Sequence, residues 1–121
     1  MPKLLIVDDE PDVTEFAKNF FKKRKFDVTT ASNGPEALEI IQRNKPDIML
    51  LDIKMEGMDG LEVLEKIGEI TKDVRIIMVS GIEEKESVEK AKKLGAIGFV
   101  HKPLVLEELE RVVLKEAEKI K

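Results

Sequence analysis

A chain of 121 residues, of which 42% are hydrophobic and 38% charged, is long enough to bury a single core and predicts one globular domain. Its formal net charge is −4 and no basic run is longer than Lys22 to Lys25, so we expect no nucleic-acid partner. The absence of cysteine excludes a disulfide, a thiolate metal site and a cysteine nucleophile. No apolar run approaches the roughly 20 residues that span a bilayer. The first apolar run is too short for a signal peptide, so we expect a cytoplasmic protein without membrane contact.

The first half of the chain alternates between short apolar runs and helical patterns. Leu4 to Val7 predict a buried strand, and Pro11 suits the first position of a helix. The β-rich segment from Asp27 to Ala31 predicts a second strand, and Pro35 suits the start of a second helix. An apolar stripe with helical spacing predicts one apolar face of the first helix, formed by Val13, Phe16, Ala17, Phe20 and Phe21, and we expect its three phenylalanines in the core.

The second half of the chain continues the alternation. The run from Ile48 to Leu51 predicts a third strand, buried on both faces, which ends at Asp52. The segment from Asp59 to Glu62 matches a capping box, which predicts the start of a third helix. The remaining predicted elements are a strand over Val74 to Val79, a helix from about Glu83 to Leu94 with Gly95 at its cap, a strand over Ala96 to Val100, and a helix marked by Leu106, Leu109, Val112, Val113 and Ile120.

Five alternating strand–helix units predict an α/β fold with a parallel sheet covered by helices on both faces. For five strands the expected solution is the flavodoxin-like, doubly wound (βα)5 fold with strand order 2-1-3-4-5. We expect residues 1–121 to form a single domain with no output domain in this chain. A stand-alone protein is favoured over a fragment of a longer one.

Polar residues follow four of the predicted strands, where each strand ends. Carboxyl ends of parallel strands meet at one edge of a sheet, so these side chains should converge there. Two carboxylates about 4 Å apart repel by roughly 4 kcal/mol at an effective dielectric near 20. A cation would offset that repulsion, and hard oxygen ligands favour Mg²⁺. The converging residues are Asp8 and Asp9 after the first strand, Asp52 at the third, Ser80 at the fourth and Lys102 at the fifth.

These residues, taken together and in order, resemble the CheY-like receiver domain of two-component response regulators. The resemblance runs from Lys3 to about Lys119. No single one of these signals is specific. Their occurrence in this order, each after its own strand, is highly specific. The residues that carry it are Asp8-Asp9, Asp52, Met58-Asp59-Gly60, Ser80, Phe99 and Lys102-Pro103.

The resemblance implies a role for each site residue. Asp52 would accept a phosphoryl group from a phosphohistidine of a sensor histidine kinase or a phosphotransfer protein. Ser80 and Lys102 would hold the phosphoryl oxygens, and the Lys102–Pro103 peptide bond would be cis. Ser80 and Phe99 would form the switch. The implied Mg²⁺ ligands are Asp8, Asp9, Asp52 and the backbone carbonyl of Lys54.

The resemblance also implies how the domain would work as a switch rather than a conventional enzyme. It would catalyse its own phosphorylation and the hydrolysis of the aspartyl phosphate. The surface of the fourth helix, fifth strand and fifth helix would change and control an unknown downstream protein. Lys54 and Ile82 would border the path of the hydrolytic water, and because both are long or bulky we expect slow self-hydrolysis.

This chain departs from the family pattern in three places. Glu56 stands where a proline usually precedes Met-Asp-Gly by two residues, Ser80 replaces the commoner threonine, and the last helix has no capping residue after Pro103. A haloacid-dehalogenase-type phosphatase would need a second aspartate where this chain has Lys54. A flavodoxin-like FMN binder would need a Ser/Thr-rich loop after the first strand. An adaptor that has lost phosphorylation stays open as the third alternative.

Overall fold

The computed structural model of the chain describes residues 1–81 and 85–120. Strands and helices alternate from end to end, as the sequence predicts. The elements are β1 (Lys3–Val7), α1 (Pro11–Lys22), β2 (Asp27–Ala31), α2 (Gly34–Arg43), β3 (Ile48–Asp52), α3 (Gly60–Ile70), β4 (Arg75–Ser80), α4 (Lys85–Lys93), β5 (Gly98–His101) and α5 (Leu106–Ala117).

The five strands form one parallel sheet in the order β2-β1-β3-β4-β5, which confirms the predicted flavodoxin-like arrangement. The order reverses at β1, which lies between β2 and β3. In the register Val7 pairs with Leu51, Asp52 with Val79 and Ser80 with His101. The carboxyl ends of β1 and β3 are therefore neighbours at the point where ligands bind in doubly wound sheets.

Side chains of the central strands alternate between two cores, one on each face of the sheet. Leu5 and Val7 point to the core beneath α2, α3 and α4, whereas Leu4 and Ile6 point to the core beneath α1 and α5. Because both faces are covered, all five residues of β3 are buried. This explains why the sequence shows a continuous apolar run there rather than an alternating one.

Side-chain caps fix the starts of two helices and are absent from two others. The Asn33 carboxamide oxygen accepts from the Glu36 amide at 2.8 Å, and the Asp59 carboxylate accepts from the Glu62 amide at 2.9 Å. The N-terminal residues of α1 and α5, Glu10 and Val105, provide no side-chain cap. The cap predicted at Asp59 and the missing cap of the last helix are both confirmed.

Two predicted strands have different bounds in the structure. β4 runs from Arg75 to Ser80, one residue later than expected. β5 begins at Gly98 because the Ala96 amide still donates to the Ala91 carbonyl at the end of α4. Within the described part of the chain α4 covers Lys85–Lys93, and Glu83, where we predicted its start, lies outside the described residues. Gly95 has φ 107°, the left-handed conformation expected of a residue that ends a helix.

The prediction that Phe16 belongs to the core is wrong. Phe16 is 59% exposed, Phe20 is partly buried and Phe21 is fully buried. An α-helix turns by about 100° per residue, so Phe16 lies roughly 100° around α1 from buried Ala17. The apolar stripe is wider than the face that the sheet and α5 cover.

Among the described residues, no helix has the length and apolar character needed to cross a membrane.

Candidate functional site

The carboxyl edge of the sheet brings together the acidic residues that the sequence predicts there. Asp52 is the last residue of β3 and is 2% exposed, and Asp8 follows β1 and is 4% exposed. The Asp8 amide continues the β1–β2 ladder by donating to the Ala31 carbonyl at 3.2 Å. The two carboxylates are therefore held in place by the sheet itself and are largely removed from water.

Lys102 lies at the centre of this acidic site. Its amide donates to the Ser80 carbonyl at 2.7 Å, which extends the β4–β5 pairing by one residue and brings the side chain over the edge. The Lys102 Nζ donates to Asp52 Oδ2 at 3.0 Å and lies 3.9 Å from Asp8 Oδ2 and 3.8 Å from Glu10 Oε1. The Lys102–Pro103 peptide bond is cis, as the resemblance implied. One ammonium group thus faces three carboxylates.

The protonation equilibria reflect burial and charge. Burial raises the pKa of Asp52 to about 6, which the hydrogen bond from Lys102 opposes and the nearby Asp8 charge reinforces. Burial also raises the pKa of Asp8, against the effect of a backbone hydrogen bond from Glu10 and the charge of Lys102. Burial alone would lower the pKa of Lys102, but its bond to Asp52 and the surrounding carboxylates raise it. The site has more negative charge than its one ammonium group balances.

Ser80 contributes a hydroxyl group without a partner. It is the last residue of β4 and is fully buried, yet its Oγ has no hydrogen-bond partner among the described residues. A buried polar atom without a partner costs free energy, on the order of 1–3 kcal/mol, unless a ligand or water satisfies it. Ser80 ends β4 at the same sheet edge as Asp52 and Lys102.

The loop after β1 offers oxygen ligands for a cation. One carboxylate oxygen from each of Asp8, Asp9 and Glu10 lies within 4.8 Å of the others. An all-oxygen set of this kind suits a hard cation such as Mg²⁺, which keeps several waters. The fit agrees with the two aspartates that the resemblance implies. Sequence reasoning missed Glu10, although its position beside Asp8-Asp9 was the available signal.

The loop between β3 and α3 closes over the end of β3. The Gly60 amide donates to the Ile53 carbonyl at 2.7 Å, and a Cβ on Gly60 would lie 2.3 Å from the Asp52 carbonyl oxygen. Only glycine permits this approach, which explains the glycine of the Met-Asp-Gly motif. The Lys54 amide donates to the Asp52 carboxylate, while the Lys54 side chain is exposed. Ile82, which we expected to border the path of the hydrolytic water together with Lys54, lies outside the described residues.

Phe99, the proposed switch residue, lies in the strand next to β4. It is in β5 opposite Met78 and packs, partly buried, against the core beneath α4. Its ring centroid is 5.7 Å from the Lys92 Nζ of α4, so it contacts the helix as well as the sheet. His101, the only histidine in the sequence, is exposed at the end of β5.

The geometry defines a class: a doubly wound α/β domain with clustered carboxylates, one ammonium group and one buried hydroxyl group at the carboxyl edge of its sheet. The model of the response regulator receiver domain family matches residues 4–114, nearly the whole chain. The chain belongs to the response regulator receiver domain family. Receiver domains are the phosphorylated components of two-component systems and typically use Mg²⁺.

Individual relatives agree with this assignment. The chain is 42% identical over 116 residues to a chemotaxis protein CheY of Listeria monocytogenes, with 92% of this chain and 98% of the relative covered. It is 34% identical over 113 residues to sporulation initiation phosphotransferase F of Bacillus subtilis, with 93% of this chain and 91% of the relative covered. A crystal structure of a two-component response regulator from Clostridium difficile matches with TM-score 0.93 and 29% identity over 100% of this chain and 99% of that one.

Similar domains also occur within longer proteins. The chain spans 51% of the probable C4-dicarboxylate response regulator DctR of Bacillus subtilis and 53% of a putative transcriptional regulator of Pseudomonas aeruginosa.

Proposed function

We propose that this domain accepts a phosphoryl group on Asp52 from the phosphohistidine of a sensor histidine kinase or a phosphotransfer protein. The observation that carries the proposal is the contact of 3.0 Å between Asp52 Oδ2 and Lys102 Nζ, beside a buried Ser80 hydroxyl without a partner among the described residues. A nucleophilic carboxylate, a fixed cation and a free hydroxyl are the groups that a transferring phosphoryl needs.

The transfer is a displacement at phosphorus. One Asp52 carboxylate oxygen forms the new P–O bond while the P–N bond to the donor imidazole breaks, and the imidazole keeps the electron pair. Lys102 pairs with the negative phosphoryl oxygens, and the Ser80 hydroxyl donates to one of them. Transfer of this kind depends mainly on in-line positioning and charge stabilisation, which rigid strand ends supply.

The metal would be held by Asp8, Asp9, Asp52 and the Lys54 backbone carbonyl, with Glu10 close enough to contribute through water. When bound, Mg²⁺ would neutralise charge on the phosphoryl oxygens and offset the repulsion between the carboxylates. Asp8 and Asp52 are nearly buried and would orient the group, whereas Asp9 is exposed and open to a hydrated ion. The same site would hydrolyse the aspartyl phosphate, slowly if the Lys54 side chain hinders the attacking water.

The switch would begin at Ser80. When its hydroxyl turns to the phosphoryl group, space opens next to β5 and Phe99 turns inward. Phe99 contacts Lys92 of α4, so this movement would change the surface formed by α4, β5 and α5. The downstream partner would be a protein that binds this surface. With a net charge of −4 we propose no contact of this domain with nucleic acid, and we place it in the cytoplasm, away from the membrane.

The test of Asp52 is labelling with acetyl phosphate, which can replace the protein donor. The wild-type domain with Mg²⁺ should gain the mass of one phosphoryl group, and Asp52→Asn should gain none because an amide is not a nucleophile. Asp47→Asn is the matched control, since Asp47 precedes the same strand at the opposite edge and accepts from the Lys3 amide at 2.8 Å. Stoichiometric label on Asp52→Asn would overturn the assignment.

A further inference from the structure

A hydrogen bond joins the two loops that flank the proposed metal site. The Glu56 backbone amide donates to Asp9 Oδ2 at 3.1 Å, across 47 positions of sequence. Glu56 belongs to the loop between β3 and α3, and Asp9 to the loop between β1 and α1. The bond therefore ties an exposed carboxylate at the site to a separate segment of backbone.

The packing of its neighbours, rather than the Glu56 side chain, fixes the direction of this amide. Met55 is 8% exposed and belongs to the core beneath α2, α3 and α4, and Met58 packs against the same core. Gly57, between them, has φ 81°, a left-handed turn that glycine adopts readily. The Glu56 side chain is itself exposed. The loop is thus anchored on both sides of the amide that donates.

Each aspartate of the β1–α1 loop is held by one backbone amide. Asp8 Oδ1 accepts from the Glu10 amide at 2.9 Å, a contact within its own loop. Asp9 accepts from Glu56, a contact with the other loop. A carboxylate has two oxygens with about four acceptor sites, so one amide bond still leaves an oxygen free for a cation.

We propose that the Glu56 backbone N–H positions Asp9 for cation binding, so that residue 56 acts through its amide and not through its charge. The inference rests on the proposed Mg²⁺ site and adds a positioning residue to it. Hydrogen bonds that orient a metal ligand commonly change affinity by about 10- to 100-fold when removed. Proline at this position has no N–H and cannot make the bond. The substitution that distinguishes this chain from the usual family pattern thus supplies the donor.

Calorimetric titration with MgCl₂ tests the proposal directly, since the chain has no Trp or Tyr to report binding by fluorescence. Glu56→Ala removes the side-chain charge and keeps the N–H, so its affinity should fall less than about threefold, because an exposed charge is screened. Glu56→Pro removes the N–H as well, and its affinity should fall about tenfold or more. Circular dichroism checks that each variant is folded.

The outcomes separate the two proposals. If the wild-type domain does not bind Mg²⁺, the metal site of the proposed function is wrong. If wild type, Glu56→Ala and Glu56→Pro bind equally well, the site stands and the positioning role is overturned. Amide hydrogen exchange measured by NMR gives an independent result on folded protein without metal. The Glu56 amide should be protected in the wild type and lose protection in Asp9→Ala, and unchanged protection would also overturn the role.

Discussion

At the scale of single residues, the site is arranged for ligand binding at the expense of stability. Asp52 is buried without enough positive charge to compensate it, and Ser80 is buried without a hydrogen-bond partner among the described residues. Both features disfavour the ligand-free fold, and the proposed cation and phosphoryl group would relieve both. Perturbed carboxylates in such an arrangement are typical of functional sites.

Replacing the charged group at Asp52 should therefore stabilise the metal-free domain. The folded-state pKa of Asp52, about 6, exceeds the ordinary aspartate pKa of 3.8, so ionising Asp52 costs the folded state free energy and stability falls as pH rises between these values. In EDTA above pH 6, the free energy of unfolding of Asp52→Asn should be roughly 1–3 kcal/mol higher than that of wild type. The loss of the ion pair with Lys102 reduces this gain in stability.

Chemical denaturation across this pH range provides the measurement. The advantage of Asp52→Asn should shrink as pH falls towards 4, because the wild-type carboxyl group then takes up a proton and loses its penalty. A difference in stability that is the same at every pH would contradict the explanation from desolvation.

At the scale of helices, local signals determine where elements begin. The capped start of α3 at Asp59 and the uncapped start of α5 at Val105 form a natural comparison, since both residues precede the helix with extended backbone. Val105 is 54% exposed, so its side chain contributes little to the core and a polar replacement has room.

Val105→Ser should raise the free energy of unfolding by about 1 kcal/mol, because serine can accept a hydrogen bond from an unpaired amide in the first turn of α5. Asp59→Ala should lower it by a similar amount by removing the bond to the Glu62 amide. Thermal or denaturant unfolding of both variants measures these changes. If Val105→Ser is no more stable than wild type, the backbone amides in the first turn of α5 already have other hydrogen-bond partners.

Element type and order could be predicted from the sequence because they follow from hydrophobic periodicity, proline and caps. The exact ends of the elements and the exposure of individual side chains were harder to predict from the sequence. The start of β5 depends on a main-chain bond from Ala96 to α4, and the exposure of Phe16 depends on how far α5 and the sheet extend around α1. Neither of these two features can be predicted from one segment of sequence, because each depends on packing between distant elements.

At the scale of the whole molecule, the topology explains why the site could be predicted in outline. Asp8, Asp52, Ser80 and Lys102 converge because every strand of a parallel sheet ends at the same edge. Three features could not be predicted: the side-chain distances, the lack of a hydrogen-bond partner for Ser80 Oγ within residues 1–81 and 85–120, and the bond from the Glu56 amide. They depend on rotamers and loop backbone, and a main-chain donor leaves no signature in the sequence beyond the absence of proline.

The helices α3 and α4, which cover the same face of the sheet, differ in how firmly they are held. α3 buries Gly60, Val63, Leu64 and Ile67, whereas Ala91 is the one fully buried residue within Lys85–Lys93 of α4. Its further contacts with the core are partly buried, and Lys92 lies near the Phe99 ring. An element with few buried apolar contacts opens at lower free energy than its neighbours. α4 is therefore the helix that a change at Ser80 and Phe99 can shift most easily.

Amide hydrogen exchange should reveal this difference across the molecule. Without phosphorylation, amides of α4 should exchange faster than those of α3, because local opening of α4 exposes less buried surface. With acetyl phosphate and Mg²⁺, exchange should change in α4 and β5 while α2 stays as it was, since a phosphorylated Asp52 shifts the population of states that already exist. Asp52→Asn under the same conditions should show no change. An equal response in α2 and α4 would mean that the effect of the phosphoryl group is global and that Phe99 does not direct it to one surface.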